Sequence, residues 1–297
     1  MLEGWYCSDG EKVKLDNCFQ ACRLGSRCLT LPTLVAMAGE RVWAGKASTT
    51  QLINGTMYEF LKLTQPYYVD PDQRAFMLDG TRHHEQMDEV AKGLGMTSEI
   101  ALSGDRDIFD LLEWEDEELV LTDRKRWGSF KVAKALGMEE VGMRPDPSGA
   151  TYKTTSKYGK AGEPKMVKVW RPNPDKADTW EANLQLNRYR VMLKDTGMEP
   201  VVSKLQLEVI VRDGGTYLAK DRGVVRNTYK IPIPIMPEVE VREFFAYKED
   251  CLTAALGYGE WKRPCNEQEC WDGNRCKGYC EVWEHCPQGV FMKEIEQ

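Results

Sequence analysis

The sequence predicts an α/β core with a mixed central sheet flanked by helices, closed at each end by a cysteine-rich segment. Apolar residues recur at helical spacing in some stretches and as short β-type runs in others, and the ten cysteines leave residues 29 to 250 empty. In the first helical stretch, Ser48 and Thr49 can cap a helix running through Leu61. Asp72 can start a second helix that ends at Gly93-Leu94-Gly95, with Phe76, Gly80, Met87, Val90 and Leu94 expected to face the core. Glu99 to Gly104, Ile108 to Trp114 and Leu119 to Thr122 read as a strand meander, with the acidic turn Glu115-Asp116-Glu117 between the last two. A further helix from about Trp180 to Lys194 stops at Gly197, and a strand from Leu205 to Arg212 breaks at Asp213-Gly214-Gly215. Pro232, Pro234 and Pro237 leave the next apolar stretch an edge strand at best.

At 297 residues, 42% hydrophobic and 29% charged, the chain can bury one sizeable core with small appended modules. The expected division is a cysteine-rich segment over 1–47, a core over 48–250 and a second cysteine-rich segment over 251–297. No stretch approaches the roughly 20 apolar residues of a membrane span, and Met1 to Gly10 lacks the order of a secretion signal. A reducing, cytoplasmic setting without membrane partners is the expectation. The net charge of -7 argues against a protein that coats nucleic acid by bulk electrostatics. Locally the balance reverses: Lys153, Lys157, Lys160, Lys165, Lys168 and Arg171 face the single acid Glu163.

The hairpin carries the chemistry. A turn centred on Asp116 pairs residues whose numbers sum to 232, which sets Asp107 opposite Lys125 with Asp123 on the same face. Converging carboxylates favour a divalent cation such as Mg²⁺, and a neighbouring lysine can orient water and stabilise phosphate charge. Asp110 has the opposite parity and is the fallback ligand. His83 and His84 both border the apolar stripe of the second helix, and Gln185 and Tyr189, at i and i+4, share one helix face.

Gly104-x-x-Asp107 followed by Asp123-x-Lys125 resembles the motif pair of the PD-(D/E)XK nucleases. Upstream, Gly80-Thr81-Arg82-His83-His84 resembles the G-x-x-x-H helix of their RecB-like branch, and Gln185 to Tyr189 its Q-x-x-x-Y helix. The four motifs occur in family order. The resemblance implies a restriction-endonuclease-like core and a metal-dependent nuclease, in which His84, Asp107, Asp123 and the Arg124 carbonyl hold Mg²⁺ or Mn²⁺. Lys125 would orient the nucleophile, and Gln185 and Tyr189 would position substrate and active site. DNA is then the partner, acted on by an exonuclease of phage or bacterial recombination, repair or end processing. No helicase P-loop is present, so a helicase or a single-strand annealing or binding protein is the expected companion. The basic segment 151–171, with Tyr152, Tyr158 and Trp170, would track and stack on unpaired bases. The rival class is a catalytically inactive nucleic-acid-binding or assembly protein, for which a motif carboxylate or lysine should be missing.

Cys18-x3-Cys22-x5-Cys28 and Cys276-x3-Cys280-x5-Cys286 have identical spacing, which in a reducing compartment favours metal over disulfides. Some RecB-like nucleases carry a [4Fe-4S] cluster on one cysteine before the core and three after it. Cys276, Cys280 and Cys286 resemble that trio, although the family gap is C-x2-C and no cysteine lies at Thr56 to Glu59, where the single one belongs. A front cysteine, Cys28, would substitute. The alternative is Zn²⁺, on Cys7, Cys18, Cys22 and Cys28 and again within Cys265 to Cys286. Cys251 reads as a packing residue.

Overall fold

The computed structural model describes residues 1–155, 159–198 and 201–296, and it is a mixed α/β fold. The chain opens with strands β1 (Leu2–Tyr6) and β2 (Lys12–Lys14), followed by two short helices, α1 (Leu15–Gln20) and α2 (Leu31–Met37). The expected helix after Ser48 forms as two pieces, α3 (Thr49–Ile53) and α4 (Thr56–Thr64), because the chain turns extended at Asn54-Gly55. Ser48 caps α3 in a full capping box with Gln51. Strand β3 (Tyr67–Val69) leads into the long helix α5 (Pro71–Gly93), capped by Asp70 with proline at its first position.

The expected meander follows as β4 (Thr97–Ser103), β5 (Arg106–Glu115) and β6 (Glu118–Trp127). After α6 (Ser129–Ala135) comes a two-stranded excursion, β7 (Met138–Pro145) and β8 (Met166–Pro172). Helix α7 (Trp180–Asp195) then returns the chain to β9 (Lys204–Val211), which pairs parallel with β6. A short α8 (Tyr217–Asp221), the strand β10 (Thr228–Ile233), the helix α9 (Glu238–Tyr258) and the terminal α10 (Pro287–Glu296) complete the order. The five-stranded sheet runs β10-β9-β6-β5-β4, and β10, with Pro232, lies at its edge as the prolines require.

Two compact units form. The first comprises Met1–Asp110, Asn187–Val201 and Ile235–Gln297, and holds both cysteine-rich segments. Its core includes Trp5, Leu34, Leu52 and Tyr67. In it α5 does not bury the expected stripe: Phe76, Val90 and Leu94 are exposed, whereas Arg74, His83 and Ala91 are buried. The reason is electrostatic. Arg74 donates to Glu281 (2.9 Å) and to the Met37 carbonyl (3.1 Å), so the helix turns its charged edge inward to satisfy those pairs.

The second unit comprises Leu111–Leu186 and Val202–Pro234. Leu121, Val120, Leu205, Leu207 and Val209 fill its core from β6 and β9, with Val132 from α6. Its hairpin pairs Glu115 with Glu118 and Leu111 with Thr122, so partner numbers sum to 233. This corrects the register expected from the sequence. The turn holds two residues, Asp116-Glu117, with Asp116 at φ 55, where a three-residue turn was expected. A slip of one residue exchanges the two faces of β5.

Leu207→Ala should destabilise the protein by about 3 kcal/mol, since a fully buried leucine leaves a cavity in a close-packed core. Urea unfolding followed by circular dichroism measures it, and a loss below about 1 kcal/mol would contradict the packing described.

Candidate metal centre

Helix α5, strand β4 and strand β5 bring His84, Glu99 and Asp110 together in the first unit, with one ligand atom from each within 4.8 Å of the others. His84 Nδ1 lies 3.2 Å from Glu99 Oε1 and 3.6 Å from Asp110 Oδ1. Asp110 is buried, and His84 and Glu99 are half-buried. The strand is locked to the helix one turn further on, where Ser98 Oγ donates to Asp88 Oδ1 (2.6 Å). That bond fixes β4 beside α5, and Glu99, at φ 49, turns its carboxylate toward His84. Adjacent ligands of an octahedral ion at about 2.1 Å stand about 3 Å apart, so these separations fit one divalent cation. Two carboxylates and an imidazole suit Mn²⁺ or Mg²⁺.

Asp107 sits elsewhere in that unit. Its Oδ1 accepts the Thr49 N–H (2.6 Å) at the start of α3, and its backbone is left-handed at φ 55. Arg106 beside it donates to Gln51 Oε1 (3.0 Å) and the Val42 carbonyl (2.9 Å). These bonds anchor the entry of β5 to α3, as charge at a helix N-terminus does. The group of ligand atoms thus takes in Asp110 where the sequence put Asp107 first. The corrected register exchanges the two faces of β5, so Asp110 stands on the face opposite to the one expected.

In the second unit, Lys125 Nζ lies 2.8 Å from the buried Asp123 carboxylate. Their neighbours across the β6/β9 ladder are Leu207 and Val209, both buried, and Lys125 itself is half-buried. Arg124 points to the opposite face and is also buried. On α7, Tyr189 is buried and Gln185 half-buried. Between them Arg188 stacks over Phe245, its guanidinium carbon 4.2 Å from the ring centre. In the basic excursion, Lys168 lies 3.2 Å from Glu140, and Trp170 packs against Gly223, where an added Cβ would stand 2.6 Å away. Lys157 and Tyr158 lie outside the described residues.

The cysteines separate into two pockets of the first unit. Cys276, Cys280 and Cys286 share one with Cys265 and Cys270, whereas Cys28 lines the other with Cys7, Cys18 and Cys22. Cys28, expected to join the trio, thus lines a different pocket from it. Cys265 is the better candidate. Its Sγ lies 2.3 Å from where a Cβ on Gly55 would stand, so the sulfur packs against the start of α4. Cys270 Sγ faces the Glu267 carbonyl (3.7 Å). Burial pushes the Cys265 thiol up to about 12 and those of Cys276 and Cys280 to about 11. Soft sulfur donors in a dry cradle fit an iron-sulfur or zinc centre, which would displace these protons. Arg275 lines the same pocket, 3.8 Å over the Tyr58 ring, and would offset thiolate charge.

No protein-family model and no curated protein sequence matches the chain. Among solved structures it is similar to the crystal structure of SSO0001, at 14% identity and a TM-score of 0.39, over 86% of this chain and 92% of that one.

One acid ties the cysteine-rich end to the helices. Burial would raise the Glu281 carboxyl, but the Lys62 ammonium and Arg74 guanidinium outweigh it and hold it at about 2. Its folded value lies below the unfolded value of about 4.3, so its contribution is complete above that pH and is lost as pH falls toward 2. Glu281→Gln should lower Tm at pH 7 and flatten the decline of Tm between about pH 5 and pH 2. A parallel decline in both proteins would contradict the ion-pair role.

Proposed function

We propose that the protein is a divalent-metal-dependent deoxyribonuclease of the PD-(D/E)XK kind, acting as an exonuclease in recombination, repair or end processing. The observation that carries this reading is the convergence of His84, Glu99 and Asp110 on a point suited to a hard cation. His84 and Asp110 belong to elements whose motifs resemble that family, and Asp123-x-Lys125 follows in its order. A bound Mg²⁺ or Mn²⁺ supplies Lewis acidity toward phosphate and a lower pKa for attacking water. His84, Glu99 and Asp110 would hold it, and the resemblance gives Asp123 the role of a further carboxylate ligand and Lys125, paired with Asp123, that of orienting water. Asp107 builds the frame by anchoring α3. A [4Fe-4S] cluster on Cys265, Cys276, Cys280 and Cys286 would brace the C-terminal segment. DNA ends are presented by a helicase or a single-strand annealing or binding partner.

A time course on end-labelled linear and circular DNA should show Mg²⁺- or Mn²⁺-dependent loss of the linear substrate that EDTA abolishes. Asp110→Asn and Lys125→Ala should each reduce turnover about 10²-fold or more, with DNA binding retained. Asp107→Asn should lower Tm and keep most turnover. Loss of turnover in Asp107→Asn with full activity in Asp110→Asn would return the ligand role to Asp107, and metal-independent cleavage would end the nuclease reading.

A further inference from the structure

Cys7, Cys18, Cys22 and Cys28 line a single pocket with Trp5, Val13 and Leu34, and none of the four lines the pocket of the C-terminal cysteines. From this geometry we infer that the N-terminal pocket is a zinc site of its own, a tetrathiolate that fixes the first segment of the chain and is independent of the nuclease chemistry.

Ligand number and local backbone agree. Four sulfurs come from the end of β1, from α1 and from the loop after it, which is the closed set of a structural site. Cys7-Ser8-Asp9-Gly10 and Cys22-Arg23-Leu24-Gly25 form the same turn: the glycine N–H donates to the cysteine carbonyl (2.8 and 3.1 Å), and the glycines stand at φ 85 and φ 82. Glycine is required at those angles, and tight turns of this kind aim backbone amides at an anion such as thiolate. Arg23, which bonds Asp9 of the other turn (2.5 Å), also reaches Cys7. Its charge offsets part of the net negative charge of a zinc tetrathiolate.

The segment also has a physical need for a metal. Helix α1 has six residues and buries none of them, and α2 buries only Leu34 and Met37. So little apolar burial does not hold two short helices in place, whereas zinc binding supplies folding free energy directly. Exposure selects zinc over iron-sulfur: Cys28 is exposed, and Zn²⁺ has no redox chemistry for solvent or oxygen to disturb. Among the described residues no three of these sulfurs stand within 4.8 Å of one another, while four thiolates at about 2.3 Å from one zinc stand about 3.8 Å apart. Zinc binding would therefore bring the four sulfurs closer together.

The test uses the full chain purified without added metal, with elemental analysis and N-ethylmaleimide labelling read peptide by peptide. About one zinc per chain is expected, with Cys7, Cys18, Cys22 and Cys28 protected until a strong chelator removes it. A Cys18→Ser, Cys22→Ser double variant should lose that zinc and keep any iron. Ready labelling of the four cysteines in zinc-replete protein overturns the site, and this result needs no variant to fold. Zinc retained in full by the double variant, no zinc in the native chain, or iron lost with these cysteines overturns it equally.

Discussion

A carboxylate buried in a strand must be compensated, and Asp110 imposes that requirement on the molecule. It interrupts the apolar run Ile108 to Trp114, at the point where β5 leaves one compact unit for the other. Burying an isolated carboxylate costs several kcal/mol after relaxation, so the surroundings must supply positive charge. His84 is at hand 3.6 Å away, but Glu99 on the same imidazole adds a second negative group to the account. A divalent cation held by the three groups, as proposed, would neutralise both carboxylates. The locked α5–β4 contact through Ser98 and Asp88 and the anchoring of β5 by Asp107 keep these three groups converged, so the frame and the chemistry rest on one electrostatic demand.

Much of the fold was legible in the sequence. Alternation and helical spacing located the strands and helices around the sheet, and the prolines marked β10 as an edge. The hairpin register was not legible, because it depends on whether the acidic turn holds two residues or three, and Glu115-Asp116-Glu117 carries no glycine to decide it. That one residue determines which aspartate of β5 shares the side of Leu112. The signal that could have ranked Asp110 ahead of Asp107 was its setting: a charged residue inside a run of buried apolar ones. Glu99 gave no such signal, since only tertiary packing carries it to His84. The stripe on α5 misled for a related reason. Arg74 and its ion pairs, formed with a residue more than 200 positions away, outweigh the apolar spacing of Phe76, Val90 and Leu94.

The cysteines show the same division between local and distant information. Their repeated spacing led to the expectation of metal ligation, but spacing cannot say which sulfurs share a pocket. In three dimensions Cys265 joins the C-terminal trio because Gly55 leaves room for its sulfur, and Cys28 stays with the N-terminal set. Each end of the chain thus carries its own cysteine pocket within one compact unit. Glu281, between Cys280 and Val282, then couples the C-terminal pocket to α4 and α5 through Lys62 and Arg74.

The proposed chemistry depends on a cation binding at His84, Glu99 and Asp110. Crystals grown with Mn²⁺ and measured at the manganese absorption edge test it directly. An anomalous peak within about 2.3 Å of His84 Nδ1, Glu99 Oε1 and Asp110 Oδ1, lost in Asp110→Asn, is the predicted result. Manganese bound at Asp107 instead, or none at His84 under saturating metal, would contradict it.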